Sequence, residues 1–177
     1  MVNFSIHLAV LALATSVAAA PAPTDNSSVT FSFAQWIEDI IANPDTALTP
    51  AEAVAAANAA KVVATAGGLQ KRAYCEELFG DAPAADAAAC LDDLARKGAQ
   101  GQQCVIGYDV FSIQMCRIGG AQIRGSKSAR ESQSANCNDV ARTGGLIFDS
   151  CWRADGTVKG RELCISNRLM QVNIMGV

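Results

Sequence analysis

The sequence predicts an α+β fold: a small disulfide-stapled sandwich of antiparallel sheet with two helices, preceded by a helical pro-segment. Three observations predict it. All seven cysteines fall after residue 74. That same stretch alternates short β-rich runs with two amphipathic helical patterns. A dibasic pair, Lys71-Arg72, separates it from a cysteine-free, alanine-rich stretch.

The chain opens on an uncharged apolar run, residues 6–20, that ends in small residues. This is the pattern of a secretory signal peptide, and it is too short to span a membrane. Pro21 disfavours a cut at Ala20, so the expected signal peptide is residues 1–19. No second apolar run is long enough for an integral membrane span. Residues 21–30 are rich in proline and serine and read as a linker. Asn26-Ser27-Ser28 in it is a glycosylation sequon, usable at Asn26 after export.

Phe33, Trp36, Ile37, Ile40 and Ile41 recur at helical spacing and form one apolar stripe. Asn43-Pro44-Asp45 ends that helix. Thr49 and Glu52 have capping-box spacing, with Pro50 at the first helical position. An alanine-rich helix follows and is expected to stop at Gly67-Gly68. Residues 20–72 therefore read as a helical-hairpin pro-segment. Its end at Lys71-Arg72 suits a kexin-type processing protease, which needs an extended, exposed dibasic site. The mature domain is then residues 73–177.

In the mature domain, residues 81–97 read as a helix with Cys90, Leu91 and Leu94 inward and Gly98 as its stop. Residues 103–107 and 110–118 read as strands, Gly119-Gly120 as a turn and 121–124 as a short strand. Residues 125–135 are polar and expected to form an exposed loop. Asn136 caps a second helix that runs to about Trp152. Gly144 and Gly145 each cost that helix about 1 kcal/mol relative to alanine, which predicts close packing against a sheet there. Asp155-Gly156 is a turn, and residues 160–165 and 168–175 read as a closing hairpin.

Cysteine chemistry follows from export. Cys75, Cys90, Cys104, Cys116, Cys137, Cys151 and Cys164 form a disulfide framework with one thiol left over. No two are close enough for zinc-type C-x₂₋₄-C spacing, and the single histidine is His7, so no metal site is expected. Cys137 and Cys151, at the two ends of one helix, would lie about 21 Å apart and cannot pair. The expected pairs are Cys104–Cys116 across a hairpin, with Cys75 and Cys90 reaching the second helix. Cys164 is the expected free thiol, or the link in a disulfide-bonded dimer.

Composition narrows the function. Half of the residues are apolar, but much of that is alanine, which buries little area. The formal net charge is −3, so the chain as a whole carries no strong electrostatic footprint for nucleic acid, and the aromatics are not interleaved with the bases. A mature domain without histidine has no imidazole base for a serine or cysteine nucleophile. A carboxylate-pair glycosidase is allowed by residue types alone, but no carboxylate sits in a recognisable motif and the domain is small for a sugar cleft. The domain is thus expected not to be an enzyme and to need no cofactor. Arg117, Arg124, Lys127 and Arg130 flank and fill the serine-rich loop, where they could dock on an anionic surface.

The layout of signal, pro-segment, Lys71-Arg72 and cysteine-rich domain looks like that of small secreted effectors of filamentous ascomycete fungi. Residues 104–174 resemble the killer-protein-four (killer toxin-like) family. The carrying features are Cys116 at a strand end, Cys137 opening a helix that Cys151 closes, the glycine-bearing turn at 155–160, and the last apolar strand. The resemblance implies an α/β sandwich with helices on an antiparallel sheet. It departs in having seven cysteines rather than ten. Cys164 has no place in its pattern, and the family's functional basic residues have no counterparts here. Two functional classes are expected: an effector or toxin that binds a host or competitor cell-surface target, or a secreted inhibitor or wall-polysaccharide-binding module without toxicity.

Overall fold

The structure is a computed structural model that describes residues 31–63, 73–75 and 80–177. The expected signal peptide (residues 1–19), Asn26, Gly67-Gly68 and Lys71-Arg72 lie outside the described residues. Among the described residues there are four helices and eight strands. Helix α1 spans Phe33–Ala42 and α2 spans Pro50–Val63. Strand β1 (Ala82–Pro83) leads into α3 (Ala84–Ala99). Then come β2 (Gln103–Ile106), β3 (Ser112–Ile118), β4 (Ala121–Ser126) and β5 (Gln133–Asn136). Helix α4 (Cys137–Cys151) precedes β6 (Thr157–Val158), β7 (Gly160–Leu163) and β8 (Gln171–Gly176).

The main sheet has the order β3-β4-β8-β7, with every pair antiparallel. Two ribbons, β2–β5 and β1–β6, complete the strand set. Helices α3 and α4 pack on one face of the main sheet, burying Leu91 and Ile147 with Ile123, Val172 and Ile174. This is the disulfide-stabilised α+β fold that the periodicities predict. The polar run 125–135 is not one exposed loop. β4 extends through Ser126, Lys127 is buried, and β5 pairs with β2 from Gln133 onward.

Local chemistry sets the element ends. Thr49 and Glu52 form the capping box: the Thr49 N–H donates to Glu52 Oε2 at 2.8 Å. Asn136 caps α4 by accepting from the Asn138 N–H at 2.8 Å. Gly98 does not stop α3. It lies inside the helix, against the Asn136 and Asn138 side chains, and the helix ends at Ala99 with Gly101 at φ +83° just beyond.

The helices form two layers, not one. Helix α1 lies over α3 and α4 on the side away from the sheet. Phe33, Trp36, Ile37 and Ile40 are all 1% exposed or less. The Phe33 ring sits 4.0 Å from the Phe148 ring of α4 and 5.4 Å from Trp152. Burying four such side chains contributes about 6–12 kcal/mol in gross terms, an upper figure. Trp36 Nε1 donates to Leu48 O at 2.8 Å, tying the α1–α2 loop to the same seat.

The glycine pair of α4 shows which neighbours it serves. A Cβ at Gly145 would lie 2.8 Å from Ala34 Cα and 3.1 Å from Phe33 O, so this glycine admits α1. Gly144 faces the Leu91 side chain of α3, with Ile174 of β8 at 3.8 Å. The close approach is therefore to helices more than to the sheet, a correction to the sequence expectation.

Candidate binding surface

The cysteines decide which surfaces are held rigid. Cys75 bonds Cys151, Cys90 bonds Cys116 and Cys104 bonds Cys137. These bonds fix the Cys75 segment to the end of α4, α3 to β3, and β2 to the start of α4. Each such bond stabilises a small domain by about 2–5 kcal/mol. Cys164 is buried and carries no disulfide.

The expected pair Cys104–Cys116 is not formed, and the reason is topological. β2 does not make a hairpin with β3. It pairs with β5, which sets Cys104 opposite Ala135, two residues from Cys137. Cys90 likewise reaches β3 and not the second helix, because α3 lies on the main sheet. Cys75 does reach α4.

The face of the main sheet turned away from the helices is polar: Gln114 and Arg117 are exposed, Gln122, Arg124 and Arg161 are half-buried, and Asn173 is buried. Register places Gln114 of β3 opposite Arg124 of β4, Arg124 opposite Asn173 of β8, and Asn173 opposite Arg161 of β7. One row of amide and guanidinium side chains thus crosses all four strands. Arg117 and Gln122 begin the next row, also opposite each other. Arg161 continues the first row through an isolated bridge to Tyr74, whose ring lies 5.9 Å from the guanidinium. Tyr74 is 72% exposed.

Neighbouring groups on the sheet hold several of these side chains in place. Arg124 Nε donates to Ser112 Oγ at 3.2 Å, and Asn173 Nδ2 donates to Ser126 Oγ at 3.0 Å. Gln122 Nε2 donates to Gly176 O at 3.1 Å. Planar amides and guanidinium forks can make paired hydrogen bonds to vicinal hydroxyls or to carboxylates. An adjoining exposed aromatic ring adds a stacking surface.

The four bases singled out by sequence do not form one patch. Arg117 and Arg124 stand on neighbouring strands of this face. Arg130 is exposed in the turn before β5. Lys127 points inward: its Nζ donates to Tyr108 O at 2.8 Å and to Glu131 O, and lies over the Phe111 ring. It clasps the 107–111 loop and leaves Tyr108 and Phe111 more than 45% exposed. Sequence reasoning missed Gln114, Gln122, Arg161, Asn173 and Tyr74. For Gln122 and Asn173 the signal was the alternation of β4 and β8, whose inward positions 123, 172 and 174 leave 122, 124 and 173 on the other face; Gln114, Arg161 and Tyr74 join them only through strand register.

Among the described residues no group of three His, Cys, Asp or Glu is placed to hold a metal ion, and no helix is long and apolar enough to cross a membrane. The class defined by this architecture is a small, disulfide-stapled α+β domain with one polar sheet face. Residues 70–176 match the family model described as Domain of unknown function (DUF8794), and the chain, more than half of which is covered, belongs to that family. Neither the curated proteins nor the solved structures yielded a match. The matched region starts beside Lys71-Arg72, so α1 and α2 lie outside it.

Proposed function

We propose that this chain is a secreted fungal effector or killer-toxin-like protein, cut behind Lys71-Arg72 and acting on host or competitor cells by binding. The observation that carries the binding reading is the row Gln114, Arg124, Asn173, Arg161, with Tyr74 at its end, on a rigid sheet face. Three disulfides support export, since such bonds persist in oxidising compartments. The start of the family match beside the dibasic pair supports a processed domain. In this reading no residue carries out chemistry.

The same row also favours a second reading, a wall-polysaccharide-binding module or inhibitor without toxicity, because amides, guanidinium groups and an aromatic ring suit sugar hydroxyls. One experiment separates them. Processed protein and a Tyr74→Ala, Arg117→Ala, Arg124→Ala variant are applied to plant leaf tissue, to a competing fungus, and to chitin and glucan. Binding is expected to fall at least about tenfold in the variant, with the thermal midpoint little changed. Cell death or growth arrest by the wild type selects the effector. Retention on polymer without a cellular effect selects the second reading. Unchanged binding by the variant removes the sheet face from both.

A further inference from the structure

The part of the chain that processing would cut away is seated in the interior. Phe33, Trp36, Ile37 and Ile40 of α1 are as inaccessible as any residue of the sheet core. Polar contacts complete the seat. Asp149 of α4 caps α1, accepting from Ser32 Oγ at 2.7 Å, the Phe33 N–H at 2.6 Å and the Ala34 N–H at 3.1 Å. Arg142 of α4 makes a two-pronged pair with Glu38, 2.7 and 2.9 Å. Arg96 of α3 donates to Pro44 O at 3.0 Å.

Resting on the processing reading above, we propose that cutting behind Arg72 does not free the 73–177 domain. Helix α1 stays seated on α3 and α4, and the secreted protein is a non-covalent complex of two chains. All seven cysteines fall on one side of the cut, so no disulfide can join the chains and packing alone must hold them. The alternative is a domain with Phe148 and its surroundings bare to water and Asp149 stripped of three donors. Gly145 supports the same conclusion. Its φ is not positive, so the backbone does not require glycine there. The three atoms nearest to a Cβ at that position all belong to Phe33 and Ala34. The glycine serves the seat of α1.

The test is gel filtration of the secreted full-length chain, with native mass spectrometry and N-terminal sequencing of the peak. The expected result is one peak holding two chains in equal amount, one of them starting at Ala73. A peak of 73–177 alone, monomeric or self-associated, would overturn the proposal. An uncut chain would defeat the processing reading. Retention is then decided on a variant with a sequence-specific protease site placed at 69–72, cut after purification and run on the same column. Gly145→Ala is expected to weaken retention about tenfold or more, because the clash is with α1 backbone. Trp36→Ala should weaken it by about 100-fold or more. The cut domain's circular dichroism should not change with Gly145→Ala, since the added methyl suits a helix. Gly145→Ala protein that keeps both chains at wild-type affinity would also overturn the proposal.

Discussion

The outer side of the α3–α4 helix layer and the far face of the sheet carry opposite chemistry. Over the helices lies α1, with four large apolar side chains shut away from water. Across the sheet lies a surface of amides and guanidinium groups that ends at a ring 72% exposed. The first surface is matched in shape by a segment of the same chain. The second is partly tied down by hydrogen bonds from Arg124, Gln122 and Asn173, and leaves Gln114, Arg117 and Tyr74 exposed. An apolar surface gains by being covered at all times, whereas a polar surface can stay in water at little cost and still offer paired donors to a ligand. This division puts the apolar contacts on the helix side, and in the proposed reading recognition falls to the sheet side.

The strongest way to break the comparison is Trp36→Ala in the intact chain. Trp36 is 1% exposed and its indole N–H is bonded to Leu48 O, so truncation leaves a large cavity and an unpaired carbonyl. The expected loss is about 3–5 kcal/mol by chemical denaturation. Arg117→Ala on the polar sheet face should stay within about 0.5 kcal/mol of wild type. Equal losses would mean that the two surfaces are not of different kinds.

The sequence made much of this contrast legible, and the limits have physical causes. The stripe from Phe33 to Ile41 announces a helix that needs a partner, but helical period alone cannot name the partner. Here it is α4 of the cysteine-rich domain, through Phe148 and Gly145, and not only the second arm of a hairpin. Caps at Thr49 and Asn136 fall where they were expected, since capping is a local interaction. Disulfide pairing is non-local. Placing Cys104 beside Cys137 required the β2–β5 ribbon, and β5 lies in a polar run that has no strand signature of its own. The polar row across the sheet is likewise set by register between strands remote in sequence.

Lys127 sharpens the comparison at intermediate scale. Sequence places it among bases that could meet an anionic surface, yet it is 8% exposed and bonded to two carbonyls. Lys127→Met keeps most of the stem and removes the charge. The expected cost is about 1–3 kcal/mol, with increased proteolysis in the 107–111 loop. Arg130→Met, in the exposed turn, should cost little. If Lys127→Met left stability unchanged but weakened binding to anionic polymer, the ammonium would be acting as a surface charge after all.

The smallest expected effect tests whether charge contributes to seating α1. Arg142 donates two bonds to Glu38 and one to Asp139, and these raise its own pKa. The Glu38 carboxyl is held below the usual glutamate range, first by its hydrogen bond from Arg142. Both partners are partly exposed, so Glu38→Gln should cost only about 0.2–1 kcal/mol. The sign of its pH dependence follows. A carboxyl whose folded pKa is lowered contributes stability above its ordinary pKa of about 4.3, and loses it as pH falls through the lowered value. Asp149 runs the other way, because burial raises its pKa and disfavours its charged form. Total stability against pH therefore mixes the two, whereas the difference between wild type and Glu38→Gln isolates the ion pair. That difference should be largest at neutral pH in low salt. It should shrink in acid and again as added salt screens the pair. A difference that persisted at low pH and high salt would assign the effect to packing of the Glu38 stem, and would leave α1 held by its apolar stripe and the Asp149 cap alone.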